Sequence, residues 1–233
     1  LDLSKPVAEK KIPSSINVTG NVKSLQSGCW HEKFYLMVKR IMDICGALLG
    51  LILFSPLFII IPILIKWDDP EGSVFFSQLR VGKNGRLFHI YKFRSMVRHA
   101  EKMLDSLLDQ NETTGAMFKM KNDPRVTRVG HFLRKTSLDE IPQFVNVLKG
   151  EMSLVGPRPP LPREVKRYTE YHRQRLLVKP GCTGLWQIKG RSNVGFETMV
   201  RLDLLYIRRR GIGLDIKILL KTLLIPFRSK NAY

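Results

Sequence analysis

Apolar positions are spread unevenly along this chain, and their densest run sets its expected architecture. Residues 44–65 read ICGALLGLILFSPLFIIIPILI, without one charged side chain. About twenty such residues make a membrane helix; a buried core helix is the other reading. The run starts too far from the N-terminus, with no small-residue cleavage site after it, to be a secretory signal. Two prolines interrupt it. Pro56 removes an amide donor and crowds the carbonyl one turn back, which predicts a bend at Ser55-Pro56, and Pro62 repeats the effect. Bent there, the arms 40–54 and 57–66 are ~22 Å and ~15 Å long, short of a ~30 Å hydrocarbon core.

The flanks are basic on both sides, with Lys39 and Arg40 before the run and Lys66, Arg80, Lys83, Arg86, Lys92 and Arg94 after it. A spanning helix carries its basic excess on the cytoplasmic side, so two basic flanks suit a re-entrant hairpin over 31–66 that enters and leaves by that face. The Ser55 hydroxyl can meet backbone groups freed at the bend. An ordinary proline-kinked span is the commoner use of such a pattern and stays open.

Before the hairpin, residues 1–30 are polar, with Pro6, Pro13, Gly20 and Gly28 and no periodicity, as in an extended leader. The chain starts with Leu, which fits a piece of a longer protein. After the hairpin, residues 67–233 read as one compact, mostly helical α/β domain. Val74–Phe76 and Leu87–Tyr91 predict short strands around a turn at 82–85, with Phe75, Phe88 and Tyr91 in the core. Met103, Leu104, Leu107 and Leu108 recur at helical spacing, which predicts a helix over 98–110, followed by a polar loop over 111–123. Helices are expected over 128–135 and 140–148, the second stopped by Gly150, and a charged helix over 164–177. Pro157, Pro159, Pro160 and Pro162 enforce an extended loop, and Pro180-Gly181 opens a turn-rich stretch to Gly195. In the last segment, 214–227, Leu and Ile cover most of the surface and Lys217 and Lys221 interrupt it, just after Arg208-Arg209-Arg210. That pattern suits an interfacial helix on anionic headgroups and equally a terminal helix docked on the core.

Charge sharpens the picture. Lysine and arginine total 39 against 20 acidic residues, a formal charge of +19, which points to a polyanionic partner. Three scattered cysteines exclude a secreted disulfide scaffold and favour a reducing compartment. The chain holds no P-loop, zinc-protease, nucleophile-elbow or heptad pattern.

Acidic residues are scarce, so the adjacent carboxylates Asp139 and Glu140, with Arg134 and Lys135 before them and Arg158 after, form the candidate site. Nearby cations keep an aspartate ionised and nucleophilic, and the same cations hold a diphosphate. Ser137-Leu138-Asp139-Glu140 also matches a capping box, in which Glu140 only serves a helix N-terminus. Spacing alone leaves both readings open.

The motifs KRIMDICGALLGLILFSPLF, YKFRSM, DPRVTRVGHFLRKTSLDEIPQFVNVLKGEMSLVGPRP and KPGCTGLWQIKGR occur in that order, and the chain from about 33 to 227 resembles the bacterial sugar transferase family. These are monotopic phosphoglycosyl transferases of the bacterial inner membrane, active at its cytoplasmic face. The resemblance implies a re-entrant helix bent at Ser55-Pro56 and a two-step exchange with Mg²⁺ at Asp139-Glu140. In it, Asp139 attacks the β-phosphate of a UDP-sugar, giving a phosphosugar-aspartyl intermediate and UMP. Polyprenyl phosphate then takes the phosphosugar. Asp139 is also the expected metal contact, and Glu140 positions the metal or accepts a proton. Lys92, Arg94, Arg134 and the Pro157-Arg158-Pro159 motif match expected phosphate or uridine contacts. The implied partners are UDP-galactose or UDP-glucose, polyprenyl phosphate and membrane lipids, with no nucleic acid. Larger members carry N-terminal membrane helices and a further domain, not seen in this sequence. Arg208–Gly213 also departs from the aromatic-rich stretch usual there.

Two other classes compete: a basic membrane-attached binder of nucleic acid or anionic lipid, and a membrane scaffold without chemistry. The lysines and arginines follow no nucleic-acid module, and UMP release from a UDP-sugar separates an enzyme from either.

Overall fold

The computed structural model describes residues 30–110, 112, 118, 120, 122–189 and 195–228. Nearly all of the expected leader, most of the 111–123 loop and the end of the turn-rich stretch lie outside the described residues.

Helix α1 (Trp30–Leu53) meets helix α2 (Leu57–Asp68) at 61°, with the break at the Ser55-Pro56 step. Pro56 supplies no amide to the ladder, and the Ser55 hydroxyl donates to the Ile52 carbonyl at 2.8 Å, closing the end of α1. Helix α2 runs through Pro62 without a second break. Among the described residues no single helix is long and apolar enough to cross a membrane. The first arm is longer than the ~22 Å expected: α1 has 24 residues, or ~36 Å. Its extra length comes from residues 30–39, where Tyr35 and Lys39 dock on the Asp215 carboxylate.

Tyr35, Asp43, Ala47 and Gly50 form the buried stripe of α1. Gly50 is needed there, because a Cβ would come within 2.6 Å of the Phe144 ring. Arg40 donates to the Val147 and Leu148 carbonyls, both at 2.7 Å, neutralising the C-terminal end of helix α4 (Gln143–Lys149). Asp43 accepts from the Ser153 hydroxyl and the Leu154 amide, both at 2.9 Å. The other faces of the pair leave Met37, Ile41, Leu49, Ile52, Ile59 and Ile63 exposed.

Strands β1 (Phe75–Val81) and β2 (Leu87–Phe93) form an antiparallel hairpin, longer than expected, pairing Phe76 with Lys92 and Arg80 with Phe88. Phe88 is buried, as expected, but Phe75 is half exposed and stacks on Phe93 with ring centroids 5.3 Å apart. The helix expected over 98–110 does not form. His99 adopts a left-handed backbone (φ 63°), the Ser106 hydroxyl bonds the Met103 carbonyl, and only a 3-10 turn follows at Asp105–Gln110.

Helix α3 (Arg128–Thr136) is as expected, a 3-10 turn (Leu138–Glu140) follows it, and α4 starts three residues later than expected. Gly150, at φ 79°, ends α4 in the left-handed conformation that its lack of a Cβ permits. Strands β3 (Ser153–Val155) and β4 (Gly181–Thr183) pair in parallel, where only loop and turn were expected. The charged helix expected over 164–177 is instead α5 (Pro162–Lys166), α6 (Glu170–Arg173) and a 3-10 turn. Thr169 accepts the His172 amide, so its side chain starts a new helix and breaks the old one. Helices α7 (Leu185–Lys189), α8 (Phe196–Arg209) and α9 (Ile212–Arg228) complete the described chain.

The main core packs β3, β4 and α8 with Ala47 of α1 and Ile218 of α9. A second cluster joins Ile61 and Ile65 of α2 to Phe93, Leu133 and Ile141. Asp215 ties α9 to α1 and α8: Tyr35, Lys39 and Tyr206 converge on its carboxylate at 2.8–2.9 Å. Helix α9 therefore docks by its inner face, while Ile216, Leu220, Leu223 and Leu224 stay exposed.

Candidate active site

The bent arm reaches the Asp-Glu dyad through two short steps. Asp68, at the end of α2, accepts the Val129 amide at 2.9 Å, while Thr127 accepts the Gly130 amide at 3.0 Å, so two side chains cap α3. Ser137 then ends α3 in the left-handed region (φ 59°), with no side-chain capping bond. The capping-box reading of Ser137 and Glu140 therefore does not hold. The turn that follows sits on the second core cluster and presents both carboxylates towards β2.

Asp139 is buried (6 %), and Glu140 is half-buried. Lys92 lies between them, its Nζ 2.5 Å from Glu140 Oε1 and 3.7 Å from Asp139 Oδ2. Burial pushes the Asp139 carboxyl up to about 6; Lys92 and Arg134 oppose that rise and the Glu140 charge adds to it. Desolvation also opposes ionisation of Glu140, but the Lys92 charge and hydrogen bond, with a bond from Gln143, outweigh it and hold its pKa below the usual range. Neighbouring environments thus separate two adjacent acids: one poised near neutrality, the other firmly ionised.

Two of the expected contacts, Lys92 and Arg134, act on the dyad, and a third, Arg158, lies near Arg80. Lys92 touches both acids. Arg134 donates from Nε to the Ser95 hydroxyl at 2.9 Å, and its charge acts on Asp139. Arg158 is held by Glu164, which it meets at 3.0 Å and which also accepts the Leu161 amide. Pro157 and Pro159 are buried and act through their carbonyls: Pro157 accepts the Gly181 amide at 2.9 Å, and Pro159 accepts from Arg80 at 3.0 Å. Arg94 is turned elsewhere. It pairs with Asp69 at 3.0 Å and, with its own amide on the Val74 carbonyl, ties β2 to the end of α2.

Residues not singled out from the sequence complete the site. Arg80 reaches Pro159 and Gln78, close enough to Glu140 and Arg158 to feel both charges. Behind Arg158, the buried Arg175 donates to the Arg158 carbonyl, to Asp203 and to the Tyr168 hydroxyl. Asp123 and Arg125 form a buried pair at 2.6 Å just before α3. Alternation along β1 put Arg80 on one face with Gln78, a usable signal; the Arg175–Asp203 pair, 28 residues apart, had none.

Among the described residues no group of three or more His, Cys, Asp or Glu converges as a metal cage. Two adjacent carboxylates, each within reach of Lys92, nevertheless fit Mg²⁺, which takes one or two protein carboxylates and completes its shell with substrate phosphates and water.

Residues 34–229 match the model of the family described as bacterial sugar transferase. The chain is 50 % identical over 205 residues to the galactosyl transferase CpsE of Streptococcus agalactiae serotype III, covering 86 % of this chain and 45 % of that protein. It is 45 % identical over 200 residues to the undecaprenyl-phosphate galactose phosphotransferase of Salmonella typhimurium, covering 84 % and 42 %. It is 42 % identical over 201 residues to the exopolysaccharide production protein ExoY of Rhizobium meliloti, covering 84 % and 88 %. The chain thus spans less than half the length of the first two relatives and most of the third. A match over most of the chain, taking in the bent helix pair and the Asp-Glu turn, settles its kinship: this chain belongs to the bacterial sugar transferase family.

Proposed function

We propose that this chain transfers a sugar 1-phosphate from a UDP-sugar to polyprenyl phosphate at the surface of a bacterial membrane. The observation that carries the proposal is Lys92 set between Asp139 and Glu140, with Arg134 and Arg80 acting on them and Arg158 near Arg80, while α2, which leaves Ile59 and Ile63 exposed, packs on Ile141 next to them. A water-soluble diphosphate and a lipid phosphate meet only where cations and an apolar surface adjoin.

An Asp139 carboxylate oxygen attacks the β-phosphorus, a P–O bond forms, and the P–O bond to UMP breaks. Lys92 and Arg134 stabilise the charge that builds on the phosphoryl oxygens. An oxygen of polyprenyl phosphate then attacks the same phosphorus, forming the lipid diphosphate-sugar and returning Asp139 to its carboxylate. Glu140, held ionised, accepts the proton if the lipid phosphate arrives protonated. When bound by Asp139 and Glu140, Mg²⁺ would supply charge neutralisation for the phosphates. The names of two of the similar proteins make UDP-galactose the first donor to test, ahead of UDP-glucose and then UDP-N-acetylhexosamines.

The test is UMP release from a panel of UDP-sugars, with and without polyprenyl phosphate and Mg²⁺. One donor should give UMP in step with lipid diphosphate-sugar. No UMP from any donor, together with a salt-sensitive gel shift of nucleic acid, would favour the basic binder instead.

The bent pair is further proposed to enter and leave one leaflet, on the cytoplasmic side. Lys33 and Glu71 lie exposed at its two ends. Cysteines placed at both positions in a cysteine-free background should react with an impermeant maleimide from the same side of inverted vesicles. Labelling from opposite sides would show a kinked span.

A further inference from the structure

The face of the β-hairpin beside the dyad carries two cations at its two ends. Phe76 pairs with Lys92 and Arg80 with Phe88, so Lys92 and Arg80 are four ladder positions apart on one face, about 13 Å at the strand rise. Both side chains reach inwards: Lys92 to the dyad, Arg80 back over Gln78 at 2.8 Å. Arg80 places one terminal nitrogen on the Pro159 carbonyl, directly beside Arg158, and its Nε is buried with no hydrogen-bond partner among the described residues. Two guanidiniums at close quarters repel. The carboxylates within their reach are Glu164, already committed to Arg158 and the Leu161 amide, and Glu140, committed to Lys92. A buried donor without an acceptor beside a second arginine is a position short of an anion.

We infer that Arg80 binds the uridine-side phosphate of the donor, together with Arg158, and so sets the donor's direction along the hairpin. This rests on the proposed transfer from a UDP-sugar and adds to it a polarity. The phosphorus that reacts lies at the Lys92–Asp139 end, and the phosphate that leaves as UMP lies at the Arg80–Arg158 end. The two phosphorus atoms of a diphosphate share one bridging oxygen, so both are reached through the inward lean of the Lys92 and Arg80 side chains, and the nucleoside extends beyond Arg80. Seated there, an oxygen of the uridine-side phosphate gives Arg80 Nε its acceptor and relieves the repulsion from Arg158. The lipid phosphate, entering after UMP has left, meets only the Lys92 end.

The test separates the two substrates. Arg80→Gln keeps a donor for the Pro159 carbonyl and removes the charge; Arg80→Lys keeps the charge and removes the fork. Both should weaken UMP binding, by equilibrium dialysis, and raise KM for the UDP-sugar by about 10–150-fold, the usual range for losing a hydrogen bond to a charged group. KM for polyprenyl phosphate should stay within twofold of the unaltered protein. Unchanged UMP affinity in both variants would overturn the inference. So would equal rises in both KM values, the mark of a residue that only props the Pro159 loop. If the unaltered protein binds UMP but no donor yields lipid product, the transfer reading fails by itself, and the dialysis comparison still decides the role of Arg80. If it binds no UMP, both fall.

Discussion

Asp139→Asn should leave the protein folded and take away the proposed transfer activity. The amide keeps the shape of the carboxylate and can still meet Lys92, but it has no anionic oxygen to attack phosphorus. Incubation with UDP-sugar and Mg²⁺ in the absence of lipid acceptor, followed by intact mass measurement, reads the step directly. The unaltered protein should gain one phosphosugar, and the Asn variant none. Glu140→Gln should still gain it, with turnover slowed by ~10²–10⁴, as for loss of a proton acceptor. A mass gain in the Asn variant, or transfer by the unaltered protein only with both substrates present, would favour direct transfer without a covalent relay.

The same aspartate has a titration to check. Burial places its carboxyl at about 6, above the ordinary aspartate value, and Lys92 holds it from rising further. In metal-free protein, carboxyl-labelled NMR should show two aspartates titrating near that value, Asp139 and Asp203, with the Asp139 signal identified by its loss in Asp139→Asn. Replacing Lys92 with Met removes the cation that favours the charged form, so the titration should move to higher pH. A bound divalent ion acts in the opposite direction and extends the ionised range downwards.

Local signals were the ones legible in the sequence. A Ser-Pro step inside an apolar run bends a helix by removing one amide and crowding one carbonyl, both decided within a turn, and the 61° break lies there. The Asp-Glu turn was visible through its motif. Spacing misled where backbone chemistry intervened: Met103, Leu104, Leu107 and Leu108 recur like a helix face, but His99 in the left-handed region and the Ser106 side chain stop the ladder. Helix α8 went unread although Phe196, Met199, Val200, Asp203, Tyr206 and Ile207 share one buried stripe. Its inward aspartate makes the stripe look broken until the partner is known. That partner, Arg175, comes from another segment, as Tyr35 and Lys39 do for Asp215, and no window along the chain joins them.

Arg175→Met should cost the fold about 3–5 kcal/mol, the usual result of stranding one half of a buried ion pair. Arg175 and Asp203 are each about 98 % or more buried and meet at 2.7 Å, where the 3-10 turn after α6 packs on α8. Burial has already pushed Asp203 up to about 6, even with Arg175 pulling it down. Without the guanidinium that carboxyl must either hold an unpaired charge or take up a proton at neutral pH. For a chain of this size the melting temperature should fall by roughly 6–20 °C. Adding Asp203→Leu removes the stranded charge, so the double variant should recover most of the loss, because an apolar pair of similar volume replaces a buried ion pair at little cost. Catalysis should not recover with it. Arg175 also donates to the Arg158 carbonyl at 3.3 Å, and neither Met nor Leu replaces that bond. The double variant should therefore melt near the unaltered protein and still show a raised KM for the UDP-sugar. If it melts as low as Arg175→Met alone, the guanidinium stabilises through its bonds to Tyr168 and Arg158 rather than by neutralising Asp203. If its KM is normal, the Arg158 loop holds its shape without Arg175.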